Sequence, residues 1–126
     1  MKILTPAEAI ETAVRLHAQA TPLKAVTGCF DPLLSGHARR LESIRGGAAA
    51  LMVVIVEPER PLMTARARAE LVAGLAAVDY VVVPGEEGFE ALLARLPAAE
   101  VTREEATHEE VRRELIQHVQ TRQRAV

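Results

Sequence analysis

Apolar positions along the chain fall into two kinds of run, and the two kinds alternate. Some are spaced at helical intervals between charged residues, and others are short and unbroken. The run Leu51-Met52-Val53-Val54-Ile55-Val56 contains no polar residue, as expected of a strand covered on both faces, and sets a strand over Ala49 to Val56. Leu23 to Thr27 and Tyr80 to Val83 read as shorter strands of the same kind, and Ala99 to Thr102 as a fourth, at an edge. Between them lie helical patterns. The first begins at Thr5, where Pro6 and Glu8 complete a capping signal, with Ala7, Ile10, Val14 and His17 along one side. Ser35 is placed to cap a helix from Gly36 to Ile44, stopped by Gly46 and Gly47. Thr64 can cap a third, reaching about Ala77 with Leu71, Val72, Leu75 and Ala76 as its apolar face. Glu87 to Leu96 is a fourth helix. Thr107, with Glu110 three residues on, caps a last one that carries Val111, Leu115, Ile116 and Val119.

Strands alternating with helices, the best of them apolar on both faces, require a parallel sheet packed by helices on each side. The fold class expected is therefore α/β: a small, doubly wound, Rossmann-like three-layer sandwich. A length of 126 residues fits one domain over 1–126. Such sheets bind ligands at the carboxyl ends of their strands, which directs attention to the loops that follow them.

Composition narrows the function. Phe30, Tyr80 and Phe89 are the only aromatic residues, and the formal net charge is −2, so neither a base-stacking platform nor a broad nucleic-acid footprint is expected. Cys29 is the single cysteine, which leaves no disulfide framework and no cysteine-based metal motif; no metal-ligand set is assigned. The longest charge-free stretch, Gly46 to Val56, is too short to span a bilayer, and the start lacks a signal-peptide core. A cytoplasmic location with no membrane partner is the expectation.

The loop Thr27 to His37 concentrates the candidate chemistry. Gly28 permits positive φ or close approach of a ligand to the backbone. Asp31-Pro32 marks a turn. Ser35-Gly36-His37 opens a helix, whose free N–H groups and dipole suit a phosphate. Gly36 leaves room for it, and His37 offers a donor. Arg66 and Arg68, early in the helix after Thr64, sit at the unfavourable end of a dipole and suggest an anion nearby; Arg60 belongs to the same patch. Pairing of Arg66 with Glu70 is the plainer alternative. Arg39 and Arg40 follow His37 and are weaker candidates. His17 and His118 have no ligand spacing, and Lys24 reads as surface. Cys29 lacks a base and suits a buried thiol. His108 lies where a last helix begins near the same rim.

The stretch Thr27 to Arg45, TGCFDPLLSGHARRLESIR, resembles the cytidylyltransferase-like superfamily of nucleotidyltransferases, which includes glycerol-3-phosphate cytidylyltransferase and heptose-type adenylyltransferase domains. The superfamily pattern runs G-x-F-D-x-x-H-x-G-H. Gly28, Phe30, Asp31, Gly36 and His37 match it, and Leu34 stands at the first histidine. Arg60 to Val83 extends the resemblance, with an arginine-bearing helix and a closing VDYVV strand.

The resemblance implies transfer of AMP or CMP from ATP or CTP to a small, phosphorylated acceptor, with Mg²⁺ and release of pyrophosphate. It implies His37 as the catalytic, phosphate-stabilising group, and Thr27, Gly28, Phe30, Asp31, Gly36, His37, Arg66 and Arg68 as nucleotide-binding residues. It also implies a possible homodimer, for which Val111, Leu115 and Val119 offer a seam. Two departures support an alternative, a catalytically impaired member that acts as a nucleotide-binding or interaction domain. Leu34 can donate nothing, a loss that His108 could make good from the start of the last helix. The region Val101 to Thr107 has no glycine, and it brings two carboxylates where the superfamily brings a Ser/Thr run to the phosphates.

Overall fold

The computed structural model describes residues 2–98 and 100–124, with the side chain of residue 124 excepted. Ten elements follow one another: β1 (Ile3–Leu4), α1 (Pro6–Ala18), β2 (Leu23–Gly28), α2 (Ser35–Arg45), β3 (Ala50–Ile55), α3 (Ala65–Ala73), β4 (Tyr80–Val82), α4 (Gly88–Arg95), β5 (Glu100–Arg103) and α5 (Glu105–Arg124). The strands form one parallel sheet in the order β1-β4-β3-β2-β5. Strand β3 runs between β2 and β4 with every residue buried, which is what its unbroken apolar run predicts.

The alternation of side chains along β3 feeds two separate cores. Leu51, Val53 and Ile55 pack with Leu41 and Ile44 of α2 and Ala69 and Val72 of α3. Ala50, Met52 and Val54 pack with Ala9, Ala13 and Leu16 of α1 and Leu92 of α4. The sheet is therefore the middle of three layers, a Rossmann-like arrangement.

Several local expectations change. Strand β1 was not foreseen, because two residues carry no periodicity; it extends the sheet beside β4 with Ile3 opposite Val81. The expected start of β5, Ala99, lies outside the described residues. Helix α1 has the predicted Thr5–Glu8 capping box, but it buries Ala9, Thr12, Ala13 and Leu16, while Val14 is exposed. Helix α3 has the predicted Thr64 cap but ends at Gly74, leaving Leu71 exposed and Arg68 buried. Helix α2 begins at Ser35, so Leu34 rather than Ser35 holds the N-cap position. Helix α5 begins at Glu105, so Thr107 is inside its first turn and does not cap it. Among the described residues no helix is long and apolar enough to cross a membrane.

The strand order fixes where a ligand can sit. From β2 the chain steps outward on one side through β3 and β4, then returns to the other side of β2 as β5. The crevice between the ends of β2 and β5 is the topological switch point. The loop after Gly28 and the start of α5 after Arg103 face each other across it.

Candidate functional site

The site is assembled from three pieces: the loop after β2, the first turn of α2 and the first turns of α5. The loop is held from below. Asp31 is buried, and its carboxylate accepts the N–H groups of Leu62 (2.7 Å) and Met63 (2.8 Å) and the Nε–H of Arg112 (3.0 Å). Phe30, not Gly28, adopts positive φ (50°), which turns the chain into the Asp31-Pro32 bend. Gly28 serves a different purpose. A Cβ there would lie 2.4 Å from Cε1 of His108 and 2.6 Å from its Nδ1, so the missing side chain lets the His108 ring lie on the backbone.

His108 is 5% exposed. Its Nδ1 accepts the N–H of Cys29 (3.1 Å) and, at 3.4 Å, that of Phe30. His37 is fixed in a similar way, its Nδ1 accepting the N–H of Leu34 at 3.0 Å, which serves the helix start that Leu34 cannot cap. The two imidazoles stack obliquely, with centroids 4.3 Å apart, and Phe30 packs edge-on against both. A lone pair on each Nδ1 places the proton of each neutral ring on Nε2. The Nε2 of His37 is buried and has no hydrogen-bond partner among the described residues. Burial lowers the pKa of His37, opposed by Glu104. Burial, with His37 as the second cause, pushes that of His108 down to about 4.

A cavity of about 500 Å³ opens over this pair, lined by Leu34, Ser35, Gly36, His37, Arg40, Glu104, Thr107, His108 and Val111. A Cβ on Gly36 would meet nothing within 4 Å, so this helix start is open to the cavity. The carboxylates that follow β5 are neutralised by partners. Glu104 receives the Nε–H of Arg40 at 2.6 Å, and Glu105 receives the Thr27 hydroxyl and lies 3.7 Å from Arg103.

The residues singled out from the sequence therefore divide. Gly36, His37, Phe30 and Gly28 come together around the cavity and the histidine pair. Thr27 is buried beneath it, with its hydroxyl committed to Glu105 and its carbonyl to the Glu104 N–H (2.8 Å). Asp31 orders the loop and faces Arg112. Arg68 is fully buried, and its guanidinium donates to the carbonyls of Met63, Cys29 and Val56 and to Glu57. Arg66 is exposed and pairs with Glu70, and Arg60 is exposed on a separate cavity shared with Arg112 and Arg113. Cys29 is buried, and burial pushes its thiol up to about 11, away from nucleophilic use at neutral pH. Arg112 carries a role that the sequence reading missed. It stands four residues after His108, on the same face of α5, and that spacing is the signal that both reach the loop after β2.

The buried neutral state of His108 has a measurable consequence. Its pKa lies below that of an exposed histidine, so the unfolded chain binds the extra proton first as pH falls. Stability is then full above about pH 6.5 and declines toward pH 4, by no more than about 3 kcal/mol from this group. Urea unfolding at a series of pH values is expected to show that slope in the wild type and a shallower one in His108→Asn. Equal slopes would contradict the burial of this ring.

No family model matches the chain. Relatives are nevertheless evident. "Bifunctional protein HldE" of Azotobacter vinelandii is 36% identical over a segment covering 70% of this chain and 20% of that protein. The HldE protein of Bradyrhizobium diazoefficiens is 34% identical over 86% of this chain and 24% of its own length. That of Acidiphilium cryptum is 32% identical over 87% and 25%. The chain thus spans about a fifth to a quarter of the length of these relatives. A solved structure, the lipopolysaccharide core biosynthesis protein of Thermoplasma volcanium, superposes with a TM-score of 0.56 over 64% of this chain and 71% of that one, at 23% identity, and shares the fold. Over most of its length, then, the chain is similar to one segment of the HldE proteins, and it has the α/β fold seen in a protein of lipopolysaccharide core synthesis.

Proposed function

We propose that the chain is a nucleotidyltransferase-type domain that seats the phosphates of a nucleoside triphosphate over Gly36 and His37 and transfers its nucleotidyl group to a small sugar-phosphate acceptor. The observation that carries this reading is the unpartnered Nε2–H of His37, buried beside an open helix start at the switch point of the sheet. A buried donor with no acceptor costs stability unless a ligand uses it. The likeness to HldE, and to heptose-type adenylyltransferases through the Gly28 to His37 pattern, favours ATP over CTP and a sugar phosphate as acceptor.

In this reaction an oxygen of the acceptor phosphate attacks the α-phosphorus. The bond from that phosphorus to the bridging oxygen breaks, and pyrophosphate leaves with the bonding pair. The chain's part is to position the triphosphate and stabilise the charge that builds on it, through the α2 N–H groups and the His37 donor. Mg²⁺ brought in with the nucleotide would offset part of the negative charge of its phosphates.

Leu34 favours a second reading, a domain that binds nucleotide without efficient turnover. One assay separates the two. ATP or CTP with Mg²⁺ and a panel of sugar phosphates is expected to yield pyrophosphate on the first reading. Saturable ATP binding without pyrophosphate supports the second, and no binding of either nucleotide overturns both.

Gly36→Ala gives a sharper check. The added methyl meets nothing in the free chain and alanine suits a helix, so stability is expected to hold or to rise by less than about 1 kcal/mol. ATP affinity, in contrast, is expected to fall at least tenfold, because the methyl intrudes on the phosphate. Unchanged affinity by calorimetry would move the phosphates away from this helix start.

A further inference from the structure

We propose that His108 supplies the second phosphate-binding imidazole of the site, from α5, in place of the donor that Leu34 cannot provide. This rests on the reading of the site given above.

Three observations converge on it. His108 is 5% exposed, and its Nδ1 is consumed by the N–H of Cys29. Its Nε2 therefore carries the proton, and it makes no hydrogen bond to any of the described residues. The ring lies against that of His37, with centroids 4.3 Å apart and planes tilted by 50°, and Leu34 locks His37 in the same tautomer, so each ring of the pair carries its N–H on Nε2. Both residues line the cavity above Gly36. Gly28 leaves the space the ring occupies, since even an alanine Cβ would overlap it. The site has thus kept a pair of imidazole donors while taking one of them from a different element. The ligand class that suits two neutral N–H donors beside a helix start is a phosphate or pyrophosphate group.

The histidine's two nitrogens allow its two roles to be separated. In His108→Asn the amide oxygen stands where Nδ1 does, so the contact to Cys29 is kept and the outer donor is lost. In His108→Gln the amide reaches the Nε2 position and keeps the outer donor. Calorimetric titration of the full chain with ATP·Mg²⁺ and with pyrophosphate is expected to show binding weakened about 10- to 100-fold in His108→Asn and less in His108→Gln. Leu34→His added to His108→Asn is expected to recover most of the loss. Long-range ¹H–¹⁵N imidazole spectra of the wild type supply a readout that needs no variant to fold: both Nε2 resonances are expected to shift on saturation. ATP shifting His37 alone, or equal ATP affinity in folded His108→Asn, would overturn the role of His108 and leave the proposed function standing. No binding of ATP, CTP or pyrophosphate by the wild type would overturn both.

Discussion

Arg68→Met is expected to destabilise the fold by about 3–5 kcal/mol. Methionine approximates the volume of the arginine stem but leaves the carbonyls of Cys29, Val56 and Met63 without their donor, the first two in a region the solvent does not reach. It also removes a positive charge 4.0 Å from the buried Asp31 carboxylate, which then depends on Arg112 alone for charge pairing. Because Cys29 and Asp31 belong to the loop after β2, the loss falls on the site's own support. Urea unfolding at neutral pH measures it. A cost below about 1 kcal/mol would contradict the structural role, and it would return Arg68 to the ligand-binding part its place at a helix start first suggested.

The second large effect is functional. His37→Asn retains an acceptor for the Leu34 N–H, so α2 keeps its start and folding stability is expected to change by less than about 1 kcal/mol. The Nε2 donor is lost. If that donor stabilises charge on the phosphates, turnover is expected to fall by about 10²–10³, as when one preorganised donor is removed from an oxyanion site. The pyrophosphate-release assay reads this directly, with the urea midpoint as control. A folded His37→Asn protein that turns over as the wild type does would place the chemistry elsewhere.

Much of this architecture is legible in the sequence for an identifiable reason. The run Leu51 to Val56 admits only a strand buried on both faces, and the Thr5-Pro6-Glu8 signal fixes the start of α1. Where the fold departs from the sequence pattern, small or charged residues play unusual parts. Helix α1 packs through Ala9 and Ala13, whose small size brings it close to the sheet, while the bulkier Val14 points outward. Arg68 resembles an anion ligand by position, and only tertiary structure reveals the carbonyls that claim it. The glycine and histidine frame of the site was visible as a pattern. His108 was legible only as a candidate at the start of the last helix near the same rim; β5 and α5 bring it back to Gly28 across 80 positions of sequence, a contact that no local spacing encodes. The same return path explains Glu104 and Glu105, which read as repulsive to phosphate and in the fold are held by Arg40, Thr27 and Arg103.

The central claim is that triphosphate sits at the switch point, over the start of α2. A crystal structure of the chain with Mg²⁺ and a non-hydrolysable ATP analogue tests it most directly. Phosphate oxygens are expected about 3 Å from the Nε2 of His37 and from the first backbone N–H groups of α2 beside Gly36. Phosphates found instead in the cavity of Arg60, Arg112 and Arg113, or no analogue bound at saturating concentration, would contradict it.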